Sequence, residues 1–168
     1  MSKILYNFAS LNPFIMPQSL SANYLHLVFS VKNRAPLITH PLDGELYRYL
    51  YGILQSMTCV PLIVNGHINH VHCLFGMSKK HSLQWLVQEL KRSSTYWVQK
   101  EKRKSNFTWQ KGYGCFSVSP KELDSVWSYI RNQSEHHQKM TFEEEVQNFM
   151  RTYKVEGFEP EYFFDRQK

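Results

Sequence analysis

The run Asn65-Gly66-His67-Ile68-Asn69-His70-Val71-His72-Cys73-Leu74-Phe75 decides how this chain folds and points to what it carries. Alternate residues of a β-strand share a face. As a strand, the segment stands His70 and His72 side by side and turns Val71 and Cys73 the other way. Two imidazoles so placed can chelate one divalent ion, since imidazole is a common ligand of such metals. In a chain with eight histidines, a His-x-His pair alone is a weak signal, and the rest of the sequence must supply its meaning.

Outward from this strand the pattern is regular. Residues 24 to 32 alternate, with Tyr24, His26, Val28 and Ser30 against Leu25, Leu27, Phe29 and Val31, which predicts a first strand. Pro41-Leu42-Asp43 opens a helix to about Met57, with Leu46, Tyr49, Leu50, Ile53 and Leu54 along one face. Val60 to Val64 and His70 to Met77 form a hairpin through the tight connection containing Gly66. Ser82 caps a helix to about Lys102, buried through Leu83, Leu86, Val87 and Leu90. Phe107 to Ser119 holds a fourth strand, bent where Gly112 and Gly114 interrupt it. Ser119-Pro120-Lys121-Glu122 starts a helix, with Ser as cap and Pro at the first position, that passes through Tyr129 to about His137. Thr141-Phe142-Glu143-Glu144 opens another, to about Thr152.

Strand, helix, strand, strand, helix, strand is the split βαβ order of an α+β, ferredoxin-like βαββαβ antiparallel sheet with helices on one face. Its first and third strands are central, which sets the His70/His72 strand beside residues 24 to 32. A helix following the fourth strand can cross the sheet and bring Tyr129 to the histidines. A length of 168 residues suits one domain, and 42% hydrophobic with 15% aromatic residues supports a packed core.

Composition also excludes several classes. No run approaches the roughly 18 apolar residues that span a bilayer, and the N-terminus has no secretory-signal pattern. Cys59, Cys73 and Cys115 are far apart and make no CxxC, so buried thiols in a reducing cytoplasm are expected. There is no phosphate-binding G-x-x-x-x-G-K-[ST] loop. The net charge of +6 is concentrated in residues 79 to 111, where nine Lys and Arg face only Glu89 and Glu101. Such a stretch suits a phosphate backbone, with Lys91, Arg92, Lys102 and Arg103 as candidate contacts. Trp85, Tyr96, Trp97, Phe107 and Trp109 are interleaved and could stack on unpaired bases, although a solvated basic helix face has the same composition.

The second chemical motif is Val126-Trp127-Ser128-Tyr129-Ile130-Arg131-Asn132-Gln133-Ser134-Glu135-His136-His137. On a helix Tyr129 and Gln133 share a face, and His136 and His137 follow about two turns on. A phenol with an ordinary pKa near 10 attacks phosphate only if a base or cation helps it lose its proton.

Taken together, the His-hydrophobe-His strand and the later Tyr-Ile-x-Asn-Gln helix resemble the single-tyrosine HUH transposases of the insertion sequence 200/605 family, REP-associated relatives included. Residues Met16-Pro-Gln-Ser-Leu-Ser, Tyr24 to Arg34, Asn65 to Phe75, Trp109 to Ser119 and Tyr129 to His137 carry the likeness. It covers residues 16 to 168 and leaves 1 to 15 as an extension. The resemblance implies an enzyme that cuts and rejoins single-stranded DNA through a 5′-phosphotyrosine intermediate, with Tyr129 as nucleophile. It further implies Mg²⁺ or Mn²⁺ held by His70, His72 and a third ligand at Gln133, where His136 or His137 could compete. Hairpin DNA at transposon ends is the implied partner, and a homodimer sharing its active site between subunits the implied assembly. The alternatives are a non-catalytic RRM-like binder of RNA or single-stranded DNA, whose [KR]-G-[FY]-[GA]-F-V signature is missing, and a HUH replication-initiator nuclease, which usually carries further domains.

Overall fold

The computed structural model describes residues 20–160, so the N-terminal extension, Met16 to Ser19 and the last eight residues lie outside the described residues. Four strands, β1 (Tyr24–Ser30), β2 (Val60–His67), β3 (His70–Gly76) and β4 (Gly114–Val118), form one antiparallel sheet in the order β2-β3-β1-β4. This is the expected ferredoxin-like arrangement with the first and third strands central. Helices α1 (Leu42–Ser56) and α2 (Leu83–Glu101) cover one face. The other face carries α3 (Leu123–Arg131), the single turn α4 (Gln133–His136) and α5 (Phe142–Thr152).

Alternation along the central strands assigns the two faces. Leu27, Phe29, Val71, Cys73 and Phe75 join Leu46, Leu50, Leu54, Leu86, Leu90 and Val98 in the main core beneath α1 and α2. On the opposite face, Val28 and Phe116 pack against Phe142, Val146 and Met150 of α5, while Leu74 and Val118 pack against Ile130 of α3. His26, Ser30, His70 and His72 belong to this second face and are buried. The basic helix α2 therefore lies across the sheet from the histidines.

Local physics explains where elements differ from expectation. The hairpin turns at Ile68-Asn69, and Gly66 lies inside β2 opposite Val71. Its glycine serves close approach instead of a turn, because a Cβ there would stand 2.9 Å from the Val71 Cα and closer still to the His70 carbonyl oxygen. Ser119 to Glu122 forms a turn, with the Glu122 N–H donating to the Ser119 carbonyl, and α3 begins only at Leu123. The helix expected to run to His137 breaks at Asn132 (φ −96°, ψ 24°), which redirects Gln133 and the histidines after it. Two caps form as expected: Ser82 accepts from the Trp85 N–H, and Thr141 with Glu144 closes a capping box on α5. Cys59, Cys73 and Cys115 are free thiols, and burial raises all three, Cys115 to about 12. Among the described residues no helix is long and apolar enough to cross a membrane.

Candidate metal centre and nucleophile

β3 presents His70 and His72 toward α4 and α5, as their spacing requires. Each ring is held from behind. The His70 Nδ1–H donates to Asn69 Oδ1 at 2.8 Å, and His72 Nδ1 is hydrogen-bonded to His26 Nε2 at 2.9 Å. Both Nε2 atoms are thereby turned to one point. His137, just past the turn α4, does the same from the other side, its Nδ1–H donating to the Met140 carbonyl at 2.8 Å. Glu145 of α5 projects between the three rings. Its carboxylate oxygens lie 3.6 Å from His70 Nε2, 3.5 Å from His72 Nε2 and 3.3 Å from His137 Nε2. One donor atom from each of these four residues falls within 4.8 Å of every other.

Tyr129 stands beside this cluster in the same chain. Its hydroxyl donates to Glu145 Oε1, and His136 Nε2 is 3.3 Å away. Gln133 is buried, its Nε2 donating to Glu145 Oε1 at 3.2 Å and its Oε1 lying 3.4 Å from His70 Nε2. Asn65 of β2 fastens the helix carrying the tyrosine: its Nδ2 donates to the carbonyls of Ile130 and Arg131 at the end of α3. On the outer side, Tyr129, His136, Asn132 and Lys139 line an open groove of about 570 Å³.

Electrostatics follow from burial. Desolvation, with His72 adjoining, holds His70 well below the ordinary imidazole value; burial and the same neighbour do so for His26. Neutral rings with free Nε2 lone pairs are the metal-binding form. Burial alone would raise the Glu145 carboxyl, but His72, His137 and His70 around it hold it far below the usual carboxylate range. Burial and the Glu145 carboxylate push the Tyr129 phenol well above 10, so its proton leaves only with assistance.

These donors fit a divalent ion. His72 Nε2 and Glu145 Oε2 are buried without a hydrogen-bond partner, a costly condition for polar atoms unless a cation satisfies them. His70, His72, Tyr129 and Gln133 lie together within one chain. Three members are not legible in the sequence. Glu145 is hidden in the acidic run Glu143-Glu144-Glu145, yet it occupies the buried stripe of α5 with Phe142, Val146 and Met150, an anomaly that periodicity can expose. His26 gives no sign because strand register is absent from the sequence. Asn65 stands out only as part of the motif that precedes the histidines.

The basic candidates are elsewhere, and one of them is corrected. Lys91 is not a free phosphate contact: its ammonium donates to the carbonyls of Gln110, Lys111 and Gly112 at 2.8–3.1 Å, using all three of its donors. Arg92 is exposed and paired with Glu89, Lys102 pairs with Glu45 at 2.8 Å over the Trp97 ring, and Arg103 is exposed.

The arrangement thus joins a His-x-His strand of a four-stranded antiparallel sheet to a tyrosine carried by a following helix. The family model described as "Transposase IS200 like" matches residues 19–133, more than half of the chain, and the chain belongs to that family. Among solved structures, it is similar to a candidate transposase from Deinococcus radiodurans R1, with 19% identity and a TM-score of 0.55, over 70% of this chain and 96% of that one. It is also similar to a REP-associated tyrosine transposase bound to a REP hairpin, with 14% identity and a TM-score of 0.51, over 73% of this chain and 72% of that one. At these identities both likenesses concern the fold. No curated protein matches the sequence.

Proposed function

We propose that this transposase cuts and rejoins single-stranded DNA through a covalent 5′-phosphotyrosine at Tyr129. The observation that carries the proposal is the placement of the Tyr129 hydroxyl against Glu145, which also lies among His70, His72 and His137. His70 and His72 would hold a divalent ion, with a further donor from the segment after Tyr129. A divalent ion there, Mg²⁺ or Mn²⁺ in the family resemblance, would supply Lewis-acid polarisation of the scissile phosphate and stabilisation of charge on the departing oxygen.

This chain's residues perform the proton and bond work. Tyr129 Oη forms a bond to phosphorus while the bond from phosphorus to the 3′ oxygen breaks. The phenol proton passes to His136 Nε2, 3.3 Å from the hydroxyl, while Glu145 Oε1 orients the hydroxyl by accepting its hydrogen bond, and the 3′ oxygen leaves as a hydroxyl after taking up a proton. The phosphodiester energy is kept in the tyrosyl linkage, so a 3′ hydroxyl can reverse the step and rejoin a strand with no nucleotide cofactor. The groove beside Tyr129 and Lys139 gives the strand its approach. The REP-hairpin complex of the similar structure supports hairpin DNA as the ligand here as well. Because the nucleophile and the histidines meet within one chain, a monomer suffices to build this arrangement, and a homodimer sharing its sites would require α3 to be exchanged between subunits.

The test is a labelled single strand carrying a hairpin, incubated with the protein and Mn²⁺. Wild type forms a denaturation-resistant adduct. Tyr129→Phe keeps the ring and DNA affinity but forms none. Peptide mapping that placed the adduct on Tyr96, Tyr113 or Tyr153 would refute the assignment.

A further inference from the structure

His70 Nε2 faces three polar atoms at once, more than one proton on the ring can serve. Its own Nδ1–H is spent on Asn69, so a neutral ring offers a lone pair at Nε2. That lone pair looks at His137 Nε2 at 3.0 Å, Gln133 Oε1 at 3.4 Å and a Glu145 oxygen at 3.6 Å. His137 has likewise spent its Nδ1–H, on the Met140 carbonyl. With both Nδ1–H groups so used, neutral rings turn lone pairs toward one another and toward the Glu145 carboxylate, and a positive charge at their focus, a cation or a proton on His137, reconciles them. His72 Nε2 and Glu145 Oε2, each buried without a partner, aim at the same cluster.

The separations have the size a metal requires. Donors about 2.0–2.2 Å from a tetrahedral ion stand roughly 3.3–3.6 Å from one another. The separations here are 3.0 Å for His70–His137, 3.3 and 3.6 Å from Glu145 Oε2 to His137 and His70, and 3.5 Å from Glu145 Oε1 to His72, with all four donors within 4.8 Å of one another. Every imidazole also has the support behind it that ligating histidines have, a carbonyl-type oxygen or another ring on Nδ1.

We propose that His137 and Glu145 complete, with His70 and His72, a three-imidazole, one-carboxylate centre for a first-row transition ion such as Zn²⁺ or Mn²⁺. In this arrangement Gln133 is a positioning residue, its amide N–H holding the Glu145 carboxylate in place. The inference rests on the transposase reading for the site's place in catalysis, but the ligand set is a property of the resting protein without DNA. Three nitrogen donors disfavour Mg²⁺, which binds oxygen and retains its waters. Glu145 then joins the two halves of the site, since Oε1 accepts from Tyr129 and lies 3.5 Å from His72 Nε2 while Oε2 faces His70 and His137.

The experiment is calorimetric titration of metal-stripped full-length protein with Zn²⁺, Mn²⁺ and Mg²⁺, together with the absorption spectrum of the Co²⁺ form. Wild type is expected to bind Zn²⁺ and Mn²⁺ at one site at least tenfold more tightly than Mg²⁺, with intense tetrahedral Co²⁺ bands. His137→Ala and Glu145→Gln should each weaken Zn²⁺ at least a hundredfold and alter those bands, while Gln133→Ala, which removes a supporting hydrogen bond and no ligand, weakens it about tenfold and leaves the bands as in wild type. Circular dichroism of the metal-free variants controls for folding. If His137→Ala and Glu145→Gln bind Zn²⁺ like wild type, or if Gln133→Ala falls as far as His70→Ala, the ligand set is wrong. The tyrosine–DNA adduct assay would still stand in that case. Absence of the adduct with an intact four-ligand centre would instead sink the transposase chemistry alone.

Discussion

At the scale of single residues, charge is a poor guide to role until its partners are known. Lys91 sits in the most basic stretch of the chain, yet its ammonium closes the segment before β4 by binding three successive carbonyls. Burial also lowers it to about 8, the opposite of what an exposed phosphate-binding lysine experiences. Lys91→Ala should therefore destabilise the fold by about 1–3 kcal/mol, because three carbonyls lose a charged donor. It should leave the salt dependence of DNA binding unchanged. Urea denaturation and binding isotherms separate the two effects, and a lower salt slope at unchanged stability would restore Lys91 as a phosphate contact. Glu145 is the converse case. Its acidic neighbours give it the look of a solvated face, while its place in the α5 stripe buries it among imidazoles. His70 and His72 are legible because the period of a strand needs no tertiary information; Glu145 and His26 are not, because only packing decides which long-range partners they meet.

Among elements, the β2–β3 hairpin is the part on which the site depends most. It positions His70 and His72 by register, and it anchors α3 through the two hydrogen bonds from Asn65. Asn65→Ala should cost about 1–2 kcal/mol, since two carbonyls at the end of α3 lose their donor. It should also slow adduct formation more than it weakens metal binding, because Tyr129 moves while the histidines stay. Equal loss of both would argue that Asn65 supports the whole hairpin instead. Gly66→Ala is expected to be harsher. A Cβ pressed on the His70 oxygen and the Val71 Cα forces β3 away from β2, and overpacking of this kind costs about 1–3 kcal/mol or more. The melting temperature and Zn²⁺ affinity should fall together. The element order and the sheet are readable from alternation and capping residues, but the turn at Ile68-Asn69 is not. Gly66 is the stronger turn residue by propensity, and the close contact that demands it inside β2 exists only once β3 is paired.

The whole molecule is divided by its sheet into a chemical face and a basic one. Tyr129 and the cluster of His70, His72, His137 and Glu145 lie on the side of α3 to α5, whereas Arg92, Lys102 and Arg103 belong to α2 or its end on the opposite side. A DNA that engages both must pass around an edge of the sheet, which a short single strand at Tyr129 need not do. The pairs of Arg92 with Glu89 and Lys102 with Glu45 do not preclude this, because ion pairs near the surface are worth little and exchange readily for phosphate. Alanine at Arg92, Lys102 and Arg103 together should thus flatten the salt dependence for hairpin DNA by roughly 0.7–0.9 in slope for each phosphate left without its cation. The same variant should bind a short oligonucleotide spanning only the cut site as wild type does. Lys139→Ala, whose side chain shares the groove with Tyr129, should weaken both DNAs. An unchanged slope for the hairpin in the triple variant would leave α2 a solvated face and confine recognition to the side of the sheet where the chemistry lies.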